Sequence, residues 1–167
     1  MARLLILWLL AERPLTGYEI KKALTDDGMR FWFELEDGSI YSALRTLTKH
    51  GHTEIVGTEQ EGNRPQRTRY RITATGRRHY RQLLIDALRT PVLPVAPIDV
   101  ALAARGDLDS TAVTEALAAR TKTLHELSDD IDARRSAAPS SALVDRNQAL
   151  VQAELDWIAH LDHRTAT

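Results

Sequence analysis

The 167-residue chain has no cysteine, which excludes disulfide frameworks, thiolate-held metals, iron–sulfur clusters and cysteine nucleophiles, and fits a reducing, cytoplasmic setting. It has no long hydrophobic run, no internal repeat at solenoid period, no phosphate loop, no dinucleotide fingerprint and no Ser/His/Asp order. Its length leaves no room for a large enzyme with separate cofactor and substrate domains. The apolar run Leu4–Leu10 after Arg3 has the outline of a secretory signal. It is short for one, however, and Glu12-Arg13-Pro14 stands where a small-residue cleavage site belongs, so a buried helix is expected instead. Hydrophobic residues at 43% and charged residues at 27% are those of an ordinary globular protein with a real core and no membrane partner.

The net charge of −1 hides an asymmetry. Residues 1–90 hold 15 Lys and Arg against 11 Asp and Glu, and residues 91–167 hold 7 against 12, so regions of +4 and −5 meet at the cluster Pro91, Pro94, Pro97. From Gly62 to Arg81 there are seven arginines and no acid, which marks an anion-seeking surface. The two regions also differ in composition, with 6 alanines in the first and 16 in the second, where only one glycine occurs. Three domain spans follow: 1–90, a linker over 91–98, and a helical region over 99–167.

Residues 2–12 predict a helix buried on several sides. Thr16-Gly17-Tyr18-Glu19 is a capping box that opens a second helix with Ile20, Ala23 and Leu24 inside, ended by Asp26-Asp27-Gly28. After the aromatic stretch Phe31-Trp32-Phe33, Glu36-Asp37-Gly38 starts a third helix that runs to about His50 and closes at Gly51. His52–Gln60 and Arg67–Thr73 read as the strands of a two-stranded hairpin. Thr75-Gly76 opens a fourth helix with Tyr80, Leu83, Leu84, Ala87 and Leu88 at helical spacing.

Beyond the prolines, a short helix near Ile98–Ala104 precedes a long one capped by Asp109. Its residues Val113, Leu117, Leu124, Leu127 and Ile131 approximate a heptad seam broken by Arg120. Pro139-Ser140-Ser141 turns the chain into a last helix with the stripe Leu143, Leu150, Val151, Leu155, Trp157, Ile158 and Leu161. Apolar faces this broad signal oligomerisation.

The order helix, helix, helix, hairpin, helix is that of a winged helix-turn-helix, whose third helix enters the DNA major groove while the hairpin lies on the backbone. At about 100° per residue, Ile40, Ala43, Leu44 and Leu47 share one face of that helix. Ser42, Arg45 and Lys49 line the opposite face, flanked by Ser39, Tyr41 and Thr46. Arginine suits a guanine edge, lysine a phosphate or guanine, and hydroxyls suit phosphate oxygens. A solvated surface helix presents a similar stripe. In the hairpin, Arg64, Arg67, Arg69 and Arg71 lack a neighbouring acid in sequence and could track phosphates, or could pair with Glu54, Glu59 and Glu61 across the strands. The DNA-facing candidates are Ser39, Tyr41, Ser42, Arg45, Lys49, Arg64, Arg67 and Arg69.

Four blocks carry a family resemblance: Thr16–Leu24, Phe31-Trp32, Gly38–Leu44 and Tyr70–Arg77. In order and spacing, over residues 3 to about 88, they resemble the signatures of PadR-family transcriptional regulators. The helical remainder resembles the dimerisation domain of the family's larger subgroup. The pattern departs at Asp37 and Ser42, where proline is common, and at Thr68-Arg69, where a lysine-tyrosine pair is usual. The resemblance implies a mainly α fold with a small hairpin wing and an all-helical dimerisation domain. It also implies a homodimeric repressor on a pseudo-palindromic operator, answering to a small aromatic or hydrophobic effector. Trp8 and Trp157, on elements that would border such an effector space, are the candidate effector-binding residues, although both also suit a dimer core. No enzyme activity, cofactor or metal is expected. His160 and His163 with Asp156 and Asp162 could hold a metal, but polar histidines near a chain end are more often simply solvated. The competing class is a helical protein-interaction module whose winged domain no longer binds DNA.

Overall fold

Residues 4–11 carry no charge, and in a computed structural model of the chain, which describes residues 1–33, 37–59, 67–91 and 96–165, they lie in helix α1 (Ala2–Glu12). Its buried Leu5, Ile6, Leu7 and Leu10 spread over about 200° of the circumference, so α1 is the centre around which the first unit packs. Leu15, Ile20, Leu24, Ile40, Ala43, Leu44, Leu47 and Ile72 complete that core.

Helix α2 (Gly17–Thr25) starts on the predicted capping box. The Glu19 carboxylate accepts from the Thr16 amide at 2.7 Å, and Thr16 Oγ1 accepts from the Glu19 amide at 3.2 Å. Asp26 ends α2 as expected, but a further helix follows that the sequence reading does not contain. The backbone leaves helical geometry at that residue alone (φ −59°, ψ 140°) and resumes as a short helix, α3 (Asp27–Trp32), so the presumed third helix is the fourth. That helix, α4 (Asp37–Lys49), closes on Gly51 at φ 68°. The His52 amide donates to the Leu47 carbonyl (2.9 Å) and the Gly51 amide to that of Thr48 (3.0 Å), a Schellman closure that only glycine enters without strain.

The wing is a three-stranded antiparallel sheet in the order β1 (Leu15–Thr16), β3 (Arg67–Ile72), β2 (Thr53–Glu59). The expected two-stranded hairpin gains β1 because Leu15 and Thr16, extended after Pro14, pair with Tyr70 and Arg69. Between Ile55 and Gly57 the β2–β3 register shifts, a bulge at Val56.

Helix α5 (Ala74–Arg89) is capped by Thr73, two residues earlier than Thr75-Gly76 suggests. Thr73 Oγ1 accepts from the Gly76 amide (2.9 Å) and donates toward the carbonyls of Gly51 (2.7 Å) and His52 (3.2 Å). Gly76 packs directly on the His52 carbonyl oxygen, into which a Cβ would collide. The same joint stacks the His52 ring on His79 at 4.1 Å between centroids, with the His50 ring 6.0 Å from that of His52. Tyr80 and Leu83 of α5 pack on the core, but Leu84 and Leu88 of the predicted stripe are exposed, Leu88 by 88%.

Contacts divide the chain into Met1–Val92 and Leu93–Thr167. In the second unit, α6 (Pro97–Ala103) leads through a 3-10 turn (Arg105–Asp107) to α7 (Ser110–Ala133), whose cap Asp109 accepts from the Ala112 amide at 2.8 Å. A second 3-10 turn (Arg135–Ala137) precedes α8 (Ser141–Thr165). The seam between α7 and α8 is Leu124, Ile131, Val144, Val151 and Ile158. This corrects the predicted stripes: Val144 belongs to the seam, while Leu127 and Leu150 are exposed. Arg120, which interrupts the heptads, reaches Glu154 Oε2 through Nε (3.1 Å) and Nη2 (2.6 Å), and Ser128 exchanges two hydrogen bonds with Gln148. A cavity of about 420 Å3 within this unit is walled by Ile98, Leu102, Leu108, Val113, Leu117 and Leu161. Among the described residues no helix is long and apolar enough to cross a membrane.

Two outcomes follow from the His52 joint. Gly76→Ala should destabilise the chain by about 3 kcal/mol, because the added methyl meets backbone that cannot yield, read as a lower denaturant midpoint at unchanged slope. Burial above all, then the neighbouring His79, His50 and Arg3, lowers the His52 pKa from its ordinary 6.5. The unfolded imidazole therefore binds a proton more readily than the folded one, so stability from neutral His52 is complete above pH 6.5 and drains away below it. Urea titrations should show that loss, and His52→Gln should flatten it.

Candidate nucleic-acid interface

Helix α4 turns Ile40, Ala43, Leu44 and Leu47 into the core, which fixes the rotation of everything else on it. Tyr41, Ser42, Arg45 and Lys49 are exposed, with Ser39 and Thr46 half-buried beside them. The Tyr41 ring lies so close to Gly17 at the start of α2 that a Cβ there would come within 2.9 Å of Cε1. Gly17 thus permits both the tight α2–α4 approach and the placement of the Tyr41 ring. Thr48 ties the end of α4 to the wing through a 2.9 Å hydrogen bond between its hydroxyl and that of Thr53.

The wing arginines behave differently from one another. Arg71 pairs with its cross-strand neighbour Glu54, with Nε and Nη2 each 2.9 Å from Oε1. The guanidinium of Arg67 lies over the Tyr18 ring at 4.3 Å from its centroid. Arg69 Nη1 donates to the Pro14 carbonyl (3.0 Å) and stands 3.6 Å from Glu19 Oε2, while Arg13 stands 3.7 Å from the other carboxylate oxygen. The cross-strand alternative is thus borne out for Arg71 with Glu54, while Arg69 finds an acid that the strands do not supply. The acid beside Arg69 comes from α2, because β1–β3 pairing sets Thr16 opposite Arg69. Arg64 lies outside the described residues, as does Glu61.

The Thr16 amide above all holds the Glu19 carboxyl below the usual carboxylate range, helped by the Thr16 hydroxyl, Arg69 and Arg13 against the opposing cost of partial burial. Glu19 is thus an anion fixed at the root of the wing. Sequence reasoning found it as a helix cap and missed it as an arginine partner. Tyr18 was also missed.

Of the two candidate effector tryptophans, Trp8 is half-buried on α1, edge-on to Phe33 with centroids 6.0 Å apart. Trp157 is half-buried on α8 in the other unit, one turn before Leu161 of the cavity wall. The ring of His160 bonds the Asp156 carbonyl, and the described residues contain no cluster of three or more His, Cys, Asp or Glu placed to hold a metal.

A family model described as the transcriptional regulator PadR-like family matches residues 6–82. The chain carries a PadR-like family domain. Its fold is similar to that of Bacillus subtilis PadR in complex with operator DNA, with TM-score 0.76 and 16% identity over 95% of each chain. The same protein in complex with p-coumaric acid gives TM-score 0.71 and 17% identity over 95% of each chain. The Vibrio cholerae virulence activator AphA gives 0.65 and 18% over 99% of each chain. A search of curated proteins gave no match. Identities this low establish the fold alone, mostly helical with a small antiparallel sheet. The PadR-like family and these neighbours are transcriptional regulators rather than enzymes.

The exposed stripe of the PadR-like domain makes a direct prediction. Arg45→Ala should weaken binding to a cognate duplex by about 1 to 3 kcal/mol and relax base preference. Equal losses on cognate and random DNA in parallel titrations would make Arg45 a phosphate contact instead.

Proposed function

We propose that the chain is a sequence-specific DNA-binding transcriptional regulator that acts as a homodimer and represses its target. The observation that carries this reading is the exposed Tyr41, Ser42, Arg45 and Lys49 on a helix whose opposite face is locked into the core of a PadR-like domain. In this reading Ser39, Tyr41, Ser42, Arg45 and Lys49 face the major groove. Arg64, Arg67 and Arg69 meet the backbone. Residues 1–90 are the DNA-binding domain, 91–98 the linker, and 99–167 the dimerisation domain, in the cytoplasm.

Dimerisation draws support from large apolar side chains left exposed on the helices, Leu88, Leu127 and Leu150 among them. A two-fold dimer sets its reading helices about 34 to 36 Å apart, one turn of the duplex, which favours a pseudo-palindromic operator. For effector release, the cavity of the second unit offers apolar surface for a small aromatic or hydrophobic compound, with Trp157 one helical turn from its wall at Leu161; Trp8, in the first unit, is a separate candidate. An effector that prefers the unbound state weakens DNA affinity by linkage.

A second reading, a helical interaction module whose winged domain has given up DNA, draws on the pairing of Arg69 with Glu19 and of Arg71 with Glu54. Gel shifts separate the two. The regulator should retard a duplex from its own upstream region in a salt-dependent way and leave a scrambled duplex free at the same concentration. Truncation after Leu88 should greatly reduce that affinity through loss of bivalent binding. A chain that shifts neither duplex at low salt would overturn the first reading and leave the second standing.

A further inference from the structure

Two features of the wing root act in opposite directions. Arg67 and Arg69 present cations where the chain would meet a phosphate backbone, and Glu19 holds a fixed negative charge 3.6 Å from one of them. The carboxylate cannot swing away freely, because the Thr16 amide grips the oxygen that faces Arg69 at 2.7 Å. Nor does Arg69 depend on Glu19 alone for its direction, since the Pro14 carbonyl accepts from the same Nη1 at 3.0 Å. Both side chains remain partly open to solvent, Arg69 at 27% and Glu19 at 35%. A phosphate approaching Arg69 therefore meets an anion already in place.

Building on the DNA-binding reading, we propose that Glu19 is a built-in competitor for DNA phosphate, a positioning residue that lowers affinity for every duplex by acting through Arg69. The role follows from charge and placement. Among the described side chains Arg13, Arg67, Arg69 and Glu19, the carboxylate offsets one of three positive charges. Non-specific binding rests mainly on phosphate contacts, so a standing competitor limits how much of the protein is held on random DNA. The helix cap and the competitor are the same carboxylate, which makes the competitor permanent in the folded chain.

Glu19→Gln tests this directly, because an amide at this position still completes a capping box while the charge is gone. The full chain is titrated with its upstream duplex and a random duplex over a range of salt, with a thermal melt to check the fold. The variant should bind both duplexes about two- to fivefold tighter, the range of one exposed ion pair. Its salt slope should steepen by up to about 0.9, one phosphate's share, which a purely structural role would not produce. Adding Arg69→Ala to the variant should abolish the gain. Should the amide lower the melt, Glu19→Asp, which keeps the charge but draws it back by one methylene, should give a smaller gain in the same direction. Unchanged or weaker binding by these variants, while the wild type binds, overturns the proposal alone. A wild type that binds neither duplex overturns the functional reading, and this one with it.

Discussion

The carbonyl of His52 is where the first unit is joined. It accepts from the Thr73 amide and hydroxyl, and Gly76 lies flush against it, so the end of β3 and the first turn of α5 both register on one oxygen. One residue earlier, Gly51 closes α4 in left-handed geometry and delivers the chain to that oxygen. The tilt of α4 against the wing thus depends on a short stretch of backbone with two glycines that other residues cannot replace without strain. Side chains of the core set how α4 is rotated, and this joint sets where its C-terminal end stands relative to the strands.

Electrostatics on this frame is one of partial neutralisation. Of the seven arginines between Gly62 and Arg81, Arg69 and Arg71 face carboxylates, Arg77 donates to the Ala11 carbonyl at the end of α1, and Arg78 reaches the Thr75 hydroxyl. The run is basic in composition and moderated in space. In the second unit the polar interruptions serve alignment. Arg120–Glu154 and Ser128–Gln148 cross-link α7 and α8 beside the apolar seam, and sliding either helix by a turn would separate both pairs.

Much of this was legible in sequence because it is local. The capping box at Thr16, the caps at Asp109 and Gly51, and the inward face of α4 each depend on residues within a turn or two of one another. What escaped depends on distance or on a single dihedral. Helix α3 was hidden because a one-residue break at Asp26 looks like a terminus. Strand β1, two residues long, has no periodicity to detect and exists only through its pairing with β3. The Glu19–Arg69 contact spans fifty positions and is created by that same pairing. In α8 a strict seven-residue spacing selects Val144, Val151 and Ile158, whereas a search for the largest apolar side chains favours Leu150, which lies outside the seam.

The bulge at Val56 bears on how the molecule avoids its own kind. In the order β1, β3, β2, the strand β2 has β3 on one side and, among the described residues, no strand on the other, and its Ile55 and Val56 are exposed. A straight apolar edge of that composition would be a template for the same strand of another molecule. By inserting one unpaired residue, the bulge breaks the alternation of hydrogen-bonding groups in mid-strand and twists the edge, so two such edges cannot run together in register. The wing keeps β-branched residues for its pairing with β3 while the bulge makes its edge a poorer template for strand-to-strand association.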